Sequence, residues 1–298
     1  MHGRHSHSSR HKGRLWAVLA LSGSFMLVQL AAGWWTNSLA LLADAGHLFV
    51  DAAGVGLSLL AIWFAERPAT AEKTYGYYRV EILAALVNGV VLCVLAIIIL
   101  VEASERLRVR HEIAAGPVLA VAVAALGVNL LAAWLLHGGA RESLNVRGAY
   151  LEVLGDALSS AAVIVAAAVI LLTGWTAADA LASGAIALLI LPRTYALLRQ
   201  AVNVLLEGVP AHLDLLEIAT AMVEVAGVKR VHDLHVWTLT SGREAMSTHV
   251  EVEPGTRADK VIEQLHVILH VRFGIDHTTI QIETESSPLL QITPPGRR

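Results

Sequence analysis

Six apolar runs, at about residues 15 to 35, 39 to 64, 80 to 103, 115 to 137, 147 to 172 and 176 to 198, occupy the first two thirds of this chain. Each is long enough to cross roughly 30 Å of hydrocarbon as a helix, which takes about 20 mostly apolar residues. A polytopic membrane protein with six spans is the simplest reading. Charged residues make up only 16% of the chain, against about 25% in an average soluble domain. Arg10, Lys12 and Arg14 precede the first run as they would in a secretory leader. That run is of spanning length and five more follow, so it is read as a span.

An even span count puts both termini and the second and fourth loops on one side of the bilayer. That side carries Arg4, Arg10, Lys12, Arg14, Arg67, Lys73, Arg79, Arg141, Arg147, Arg193 and Arg199, while the other has only Arg106, Arg108 and Arg110. Positive charge gathers on the cytoplasmic face, so the termini are expected there. Trp16, Trp34, Trp35, Trp63, Trp134 and Trp175 fall near span ends, as interfacial anchors do. The single cysteine, Cys93, lies in the third run and excludes both an intrachain disulfide and a thiolate metal cluster. A net charge of -3 spread over both signs points to no nucleic-acid partner.

Beyond Pro210 charges and histidines return in alternating patterns, which marks a small soluble domain. The periodicities predict a helix over Leu213 to Val225, strands over Lys229 to Thr240 and Glu244 to Glu253 around a Ser241-Gly242 turn, a helix over Arg257 to Phe273 and a strand over Thr278 to Glu283. That order, αββαβ, is a two-layer α+β domain. The expected organisation is a His-rich cytoplasmic tail over 1–14, a six-helix transmembrane domain over 15–209, a cytoplasmic metal-sensing and dimerisation domain over 210–285 and an irregular tail over 286–298.

Two short patterns inside the apolar runs bear on chemistry: His47-x-x-x-Asp51 and Glu152-x-x-x-Asp156. Spacing of i to i+4 puts both side chains of a pair on one helix face, so two such helices side by side offer four ligands around one point. One imidazole and three carboxylates suit a divalent metal. Asp44, His47, Asp51 and Ser58 form a polar stripe on the second span, and Asn145, Glu152, Asp156 and Ser159 or Ser160 form one on the fifth. Such stripes face protein or water, not lipid. The bland alternative is mutual hydrogen bonding that fixes helix packing, but three carboxylates crowded together without a cation repel. Asp44 is read as a partner orienting His47 or as part of a proton route, and Asp179 as a helix-end residue. Each stripe lies on the middle helix of a consecutive trio, which suggests a three-plus-three plan with a midplane site.

The chain resembles the cation diffusion facilitators, in particular their bacterial zinc, cobalt and cadmium efflux branch. The resemblance rests on LADAGHLFVD at 42–51, TYGYYRVEILAALVNG at 74–89, AYLEVLGDALSS at 149–160, LLEGVP at 205–210, VHDLHVWTLTSGREAMSTHV at 231–250 and HTTIQIE at 277–283. It implies a homodimer of six-span protomers in a bacterial inner membrane. Each protomer would carry a metallochaperone-like cytoplasmic domain and export Zn²⁺, with Cd²⁺ and Co²⁺ as further cargo, in exchange for protons. It also implies that His47, Asp51, Glu152 and Asp156 form the transport site and that Arg79 interlocks with Glu207. The common zinc pattern has histidine where this chain has Glu152, so oxygen replaces nitrogen and the empty site gains one negative charge. An oxygen-richer site is expected to discriminate less against Co²⁺, Cd²⁺ or Mn²⁺.

His212, His232, His235, His249, His266, His270 and His277 lie in the soluble domain. Strand alternation puts His232 and His235 on opposite faces, and His249 opposite Val250 and Val252. His232, His249, His277 and Glu283 are the candidates for a second, regulatory metal site. His266 and His270 are read as the polar side of an amphipathic helix. His2, His5, His7 and His11 stand in a tail with no apolar pattern, expected to be without regular structure and able to hold metal only loosely. A metal sensor or scaffold without transport is the main rival reading. A buried metallohydrolase is disfavoured because no HExxH occurs, and organic-cation efflux because clustered hard ligands fit a bare ion.

Overall fold

The computed structural model describes residues 4–109, 111–138, 144–240 and 242–284. Six long helices come first: α1 (Arg4–Thr36), α2 (Leu39–Ala65), α3 (Arg79–Arg106), α4 (Ala115–His137), α5 (Leu144–Thr173) and α6 (Ala177–Leu205). All six are long and apolar enough to cross a membrane. Then follow α7 (Leu215–Val223), β1 (Val228–Thr240), β2 (Arg243–Val252), α8 (Ala258–Phe273) and β3 (His277–Glu283), in the αββαβ order that the periodicities predict. The chain divides into two compact units, one of residues up to Ser58 with Val87–Leu198, the other of Leu59–Leu86 with residues from Arg199 onward.

The first unit is held together by small side chains. Its core gathers Ala40, Ala43, Ala96, Ala122, Ala166 and Ala187 among larger neighbours such as Leu41 and Ile186. Lipid is as apolar as leucine, so helices in a bilayer associate through close backbone approach and polar contacts, and alanine permits the first. Gly54 on α2 permits more, since a Cβ there would stand 2.5 Å from Asn88 Oδ1 on α3. Large side chains such as Trp34, Leu172 and Leu158 turn outward. Helix α4 packs on both α5 and α1. Between these helices Val18, Ala132, Ala133, Val146 and Val153 make a local core.

Asp179, near the start of α6, is a helix-end residue with a second task. Its carboxylate accepts hydrogen bonds from Ser38 Oγ at 2.5 Å, from the Leu39 amide at 2.7 Å and from the Ala40 amide at 3.3 Å. The orphan amides that open α2 thus find their acceptor on another helix. The helix carrying His47 and Asp51 is held at its N-terminus by α6.

Backbone α1 begins at Arg4, so helix continues into the His-rich stretch expected to lack regular structure. Once a helix is nucleated, each added residue contributes a hydrogen bond, and the stretch from Arg4 contains no proline to stop it. The side chains of His5, His7 and His11, together with His2 and the tail over 286–298, lie outside the described residues.

In the second unit the three strands run in the order β1-β2-β3, with β1 antiparallel and β3 parallel to β2. Gly242 sits at φ 72°, a conformation glycine adopts without strain, at the turn between β1 and β2. Helices α7 and α8 cover one face of the sheet, burying Ile218, Met222, Leu265 and Leu269 against Val236, Met246, Val250 and Val252. The Asp214 side chain caps α7 by accepting from the Leu216 amide at 2.8 Å.

Candidate functional site

Helices α2 and α5 bring the two patterned pairs of the first unit together. His47 Nε2 is 3.4 Å from Asp51 Oδ2 and 3.9 Å from Asp156 Oδ1. Glu152 is near enough to Asp51 for the two carboxylates to interact electrostatically. A tetrahedral ion with donors at about 2.0 to 2.1 Å has donor-to-donor edges of about 3.3 to 3.4 Å, close to the spacing of His47 and Asp51. His47 and Asp156 are the enclosed members, at 13% and 8% side-chain exposure, while Glu152 is the open one at 34%.

Two atoms beside this cluster, Asp44 Oδ1 and His47 Nδ1, are buried without a hydrogen-bond partner among the described residues. Asp44 Oδ2 accepts from Gln29 Nε2 on α1 at 2.7 Å. Gln29 went unnoticed in the sequence, being a lone amide in an apolar run whose partner is on another helix. Arg193 was missed in the same way. It reads as one more charge near a span end, yet it stands within α6, directly after Pro192, with its Nη2 3.2 Å from Glu152 Oε1.

The second unit has its own cluster. His232 Nε2 lies 3.1 Å from Glu283 Oε2 and His249 Nδ1 lies 2.9 Å from Glu283 Oε1, with the two imidazole centroids 5.3 Å apart. One ligand atom from each of the three falls within 4.8 Å of the others. Two imidazoles and a carboxylate are a donor set that Zn²⁺ accepts. Burial pushes the Glu283 carboxyl up, but hydrogen bonds from His249 and His232 outweigh it and hold it below the ordinary carboxylate range.

His277 is not brought to this cluster. It pairs with Ala245, four positions along β3 from Gln281, the partner of His249. At about 3.3 Å per residue that is some 13 Å along the strand. Sharing a sheet face does not make side chains meet at a point. The His277 ring instead meets Tyr75 edge-on at 5.5 Å, beside a cavity of about 780 Å³ also lined by Tyr78, Glu81, Arg243 and Glu244. Asp233 approaches in its place, with Oδ2 3.9 Å from His249 Nε2. A register break between His232 and His235 and a φ of 52° at Asp233 make that approach, and simple alternation does not foresee it.

Of the other soluble-domain histidines, His235 pairs with Asp233 at 3.1 Å and His270 with Asp276, both exposed, and His266 is exposed on α8. Arg79 Nη2 and Glu207 Oε1 are 2.8 Å apart.

Residues 15–206 match the cation efflux transmembrane domain and residues 210–285 the cation efflux protein cytoplasmic domain. The chain belongs to the cation efflux family, the cation diffusion facilitators, and is a multi-pass membrane protein with a cytoplasmic domain that serves metal efflux. It is 43% identical over 287 residues to "Zinc transporter ZitB" of Shigella flexneri, covering 94% of this chain and 91% of that one. It is 42% identical over 280 residues to "Metal cation efflux system protein CzcD" of Cupriavidus metallidurans, covering 94% and 89%. It is 38% identical over 285 residues to the "Cadmium, cobalt and zinc/H(+)-K(+) antiporter" of Bacillus velezensis, covering 94% and 90%. Among solved structures, the metal-bound C-terminal domain of the CzcD transporter from C. metallidurans matches at 38% identity and a TM-score of 0.23, over 24% of this chain and 99% of that one.

Proposed function

We propose that this protein is a proton-coupled antiporter that exports divalent metal cations from the cytoplasm, Zn²⁺ first, with Cd²⁺ and Co²⁺ as further cargo. The observation that carries the reading is the approach of His47, Asp51, Glu152 and Asp156 across α2 and α5 within an apolar bundle. Ionisable groups in such a place are expensive unless an ion or a proton neutralises them. Metal binds the deprotonated ligands and releases their protons, and protons from outside compete the metal off again, so one set of side chains serves both ions. Alternating access then carries metal outward and protons inward. The names of the relatives, which cite zinc, cadmium, cobalt and H(+) antiport, support the same ions.

The domain assignment follows this reading. Residues 15–209 carry transport, 210–285 sense metal and dimerise, and the two terminal tails are accessory. The protein works as a homodimer in a bacterial inner membrane with both termini in the cytoplasm. His232, His249 and Glu283 hold a regulatory metal, and Arg79 with Glu207 acts as an interlock. Asp44, tied to Gln29, supports His47 or passes protons toward it. Transport needs no covalent chemistry.

The test is flux of Zn²⁺, Cd²⁺ and Co²⁺ into or out of liposomes holding wild type or Asp156→Ala, with and without a pH gradient. Gradient-driven flux in wild type, reduced more than about a hundredfold in the variant, is expected, since even outer partners of a metal ligand are worth about 10 to 100-fold. Metal binding at the soluble domain with no gradient-driven flux would instead favour a membrane-bound sensor or scaffold, the reading that the His232, His249 and Glu283 cluster alone supports.

A further inference from the structure

His47, Asp51, Glu152 and Asp156 give the proposed transport site three carboxylates, one more than a set with histidine at position 152. Arg193 lies against the added charge, its Nη2 3.2 Å from Glu152 Oε1. The same guanidinium is within electrostatic reach of Asp51 and Asp156. Glu152 and Arg193 are also the open pair of the group, at 34% and 64% side-chain exposure. Arg193 thus engages the same carboxylate that Glu152 would offer a metal.

We propose that Arg193 is a tethered cation that competes with the transported metal ion for Glu152, making Glu152 the exchangeable ligand of the site. The inference rests on Glu152 being a ligand. In the metal-free protein Arg193 offsets the carboxylate that Glu152 adds. An arriving divalent ion takes Glu152 from Arg193 and completes its shell. Two positive charges from the ion and one from Arg193 then balance the three carboxylates. A fixed positive charge beside a cation site opposes occupancy by ordinary Coulomb repulsion. When the metal leaves, Arg193 recaptures Glu152 and so favours release. Arg193 acts through Glu152 and is a positioning residue.

The experiment measures Zn²⁺ and Cd²⁺ binding to the full-length protein in detergent, taking the share abolished by Asp156→Ala as that of the membrane site. Release is followed by stopped-flow chelation. Arg193→Gln is expected to tighten that share about tenfold and to slow release by a similar factor. In a Glu152→Gln background the same substitution is expected to have at most a third of that effect. Arg193→Lys keeps the charge but loses the planar fork that fits a carboxylate, and is expected to tighten binding about threefold. If Arg193→Gln fails to fold, the lysine variant decides alone. Unchanged or weaker binding in these variants, with the Asp156-dependent share intact, overturns the competition while leaving the transport site standing. Absence of any Asp156-dependent share in wild type overturns both.

Discussion

Asp179 ties two helices together at one carboxylate, and Glu152 is the residue on which the proposed metal selectivity is expected to turn. Asp179 is 1% exposed and satisfies Ser38 together with two amides that begin α2. Asp179→Ala leaves those donors without an acceptor, and a loss of roughly 1.5 to 3 kcal/mol is expected, as for hydrogen bonds to a charged group. A lowered melting temperature in detergent checks it, and an unaltered one removes Asp179 from the helix-capping account. At Glu152 the prediction concerns selectivity. Glu152→His restores a second nitrogen, so Zn²⁺ is expected to gain on Co²⁺, Cd²⁺ and Mn²⁺ in competition binding, whereas an unchanged metal profile would sink the idea. Spacing alone pairs His47 with Asp51 and Glu152 with Asp156, because i to i+4 on a helix fixes which side chains are neighbours, but it does not say that the two helices meet. Gln29, Arg193 and the capping role of Asp179 were not readable at all, since each acts on a residue of another helix and no periodicity within one helix reports a partner across the bundle.

Elements were legible wherever a single period governed them and less so where the period broke. All six spans, the Gly242 turn and the helices and strands of the soluble domain fall near their expected positions, because hydrophobic period and turn chemistry act locally. Strand β1 is the exception. Its register breaks between His232 and His235, which turns Asp233 toward His249, while His277 is kept away by its own place on β3, opposite Ala245. On β2, Glu251 stands beside Glu283 in the register, and Lys229 at 2.5 Å and Arg230 at 3.2 Å balance it from β1. The hydrogen bond from Lys229, against some burial, holds the Glu251 carboxyl below its ordinary value. A carboxylate lowered by folding stabilises the native state above its unfolded value of about 4.3 and loses that contribution as pH falls through the lower, folded value. The soluble-domain transition of the full-length protein is therefore expected to hold level above about pH 5 and to fall below it. Glu251→Gln should flatten that fall, and an identical acid profile in the variant would exclude Glu251 as its source.

Among the described residues there are two clusters, one in each compact unit, and the proposed regulation requires them to communicate. If a regulatory metal at His232, His249 and Glu283 biases the protein toward its transporting arrangement, it does so only through different affinities for two arrangements. Linkage makes that bias reciprocal: the factor by which the soluble-domain metal changes affinity at the membrane site is the factor by which the membrane metal changes affinity at the soluble domain. Loading of the His232 and His249 site can therefore be measured in full-length wild type and in Asp156→Ala. His249→Ala identifies the soluble share of binding, since the cluster loses one of its three donors. Coupling of the usual strength, about 1 to 3 kcal/mol or roughly 5 to 150-fold, predicts that Asp156→Ala shifts the soluble-site affinity by a factor in that range. The reverse pair, membrane-site affinity with and without His249, must shift by the same factor. Equal shifts would establish one equilibrium biased from both ends. If neither affinity moves, the two sites are independent, and the soluble cluster is a store or a dimer clamp rather than a sensor.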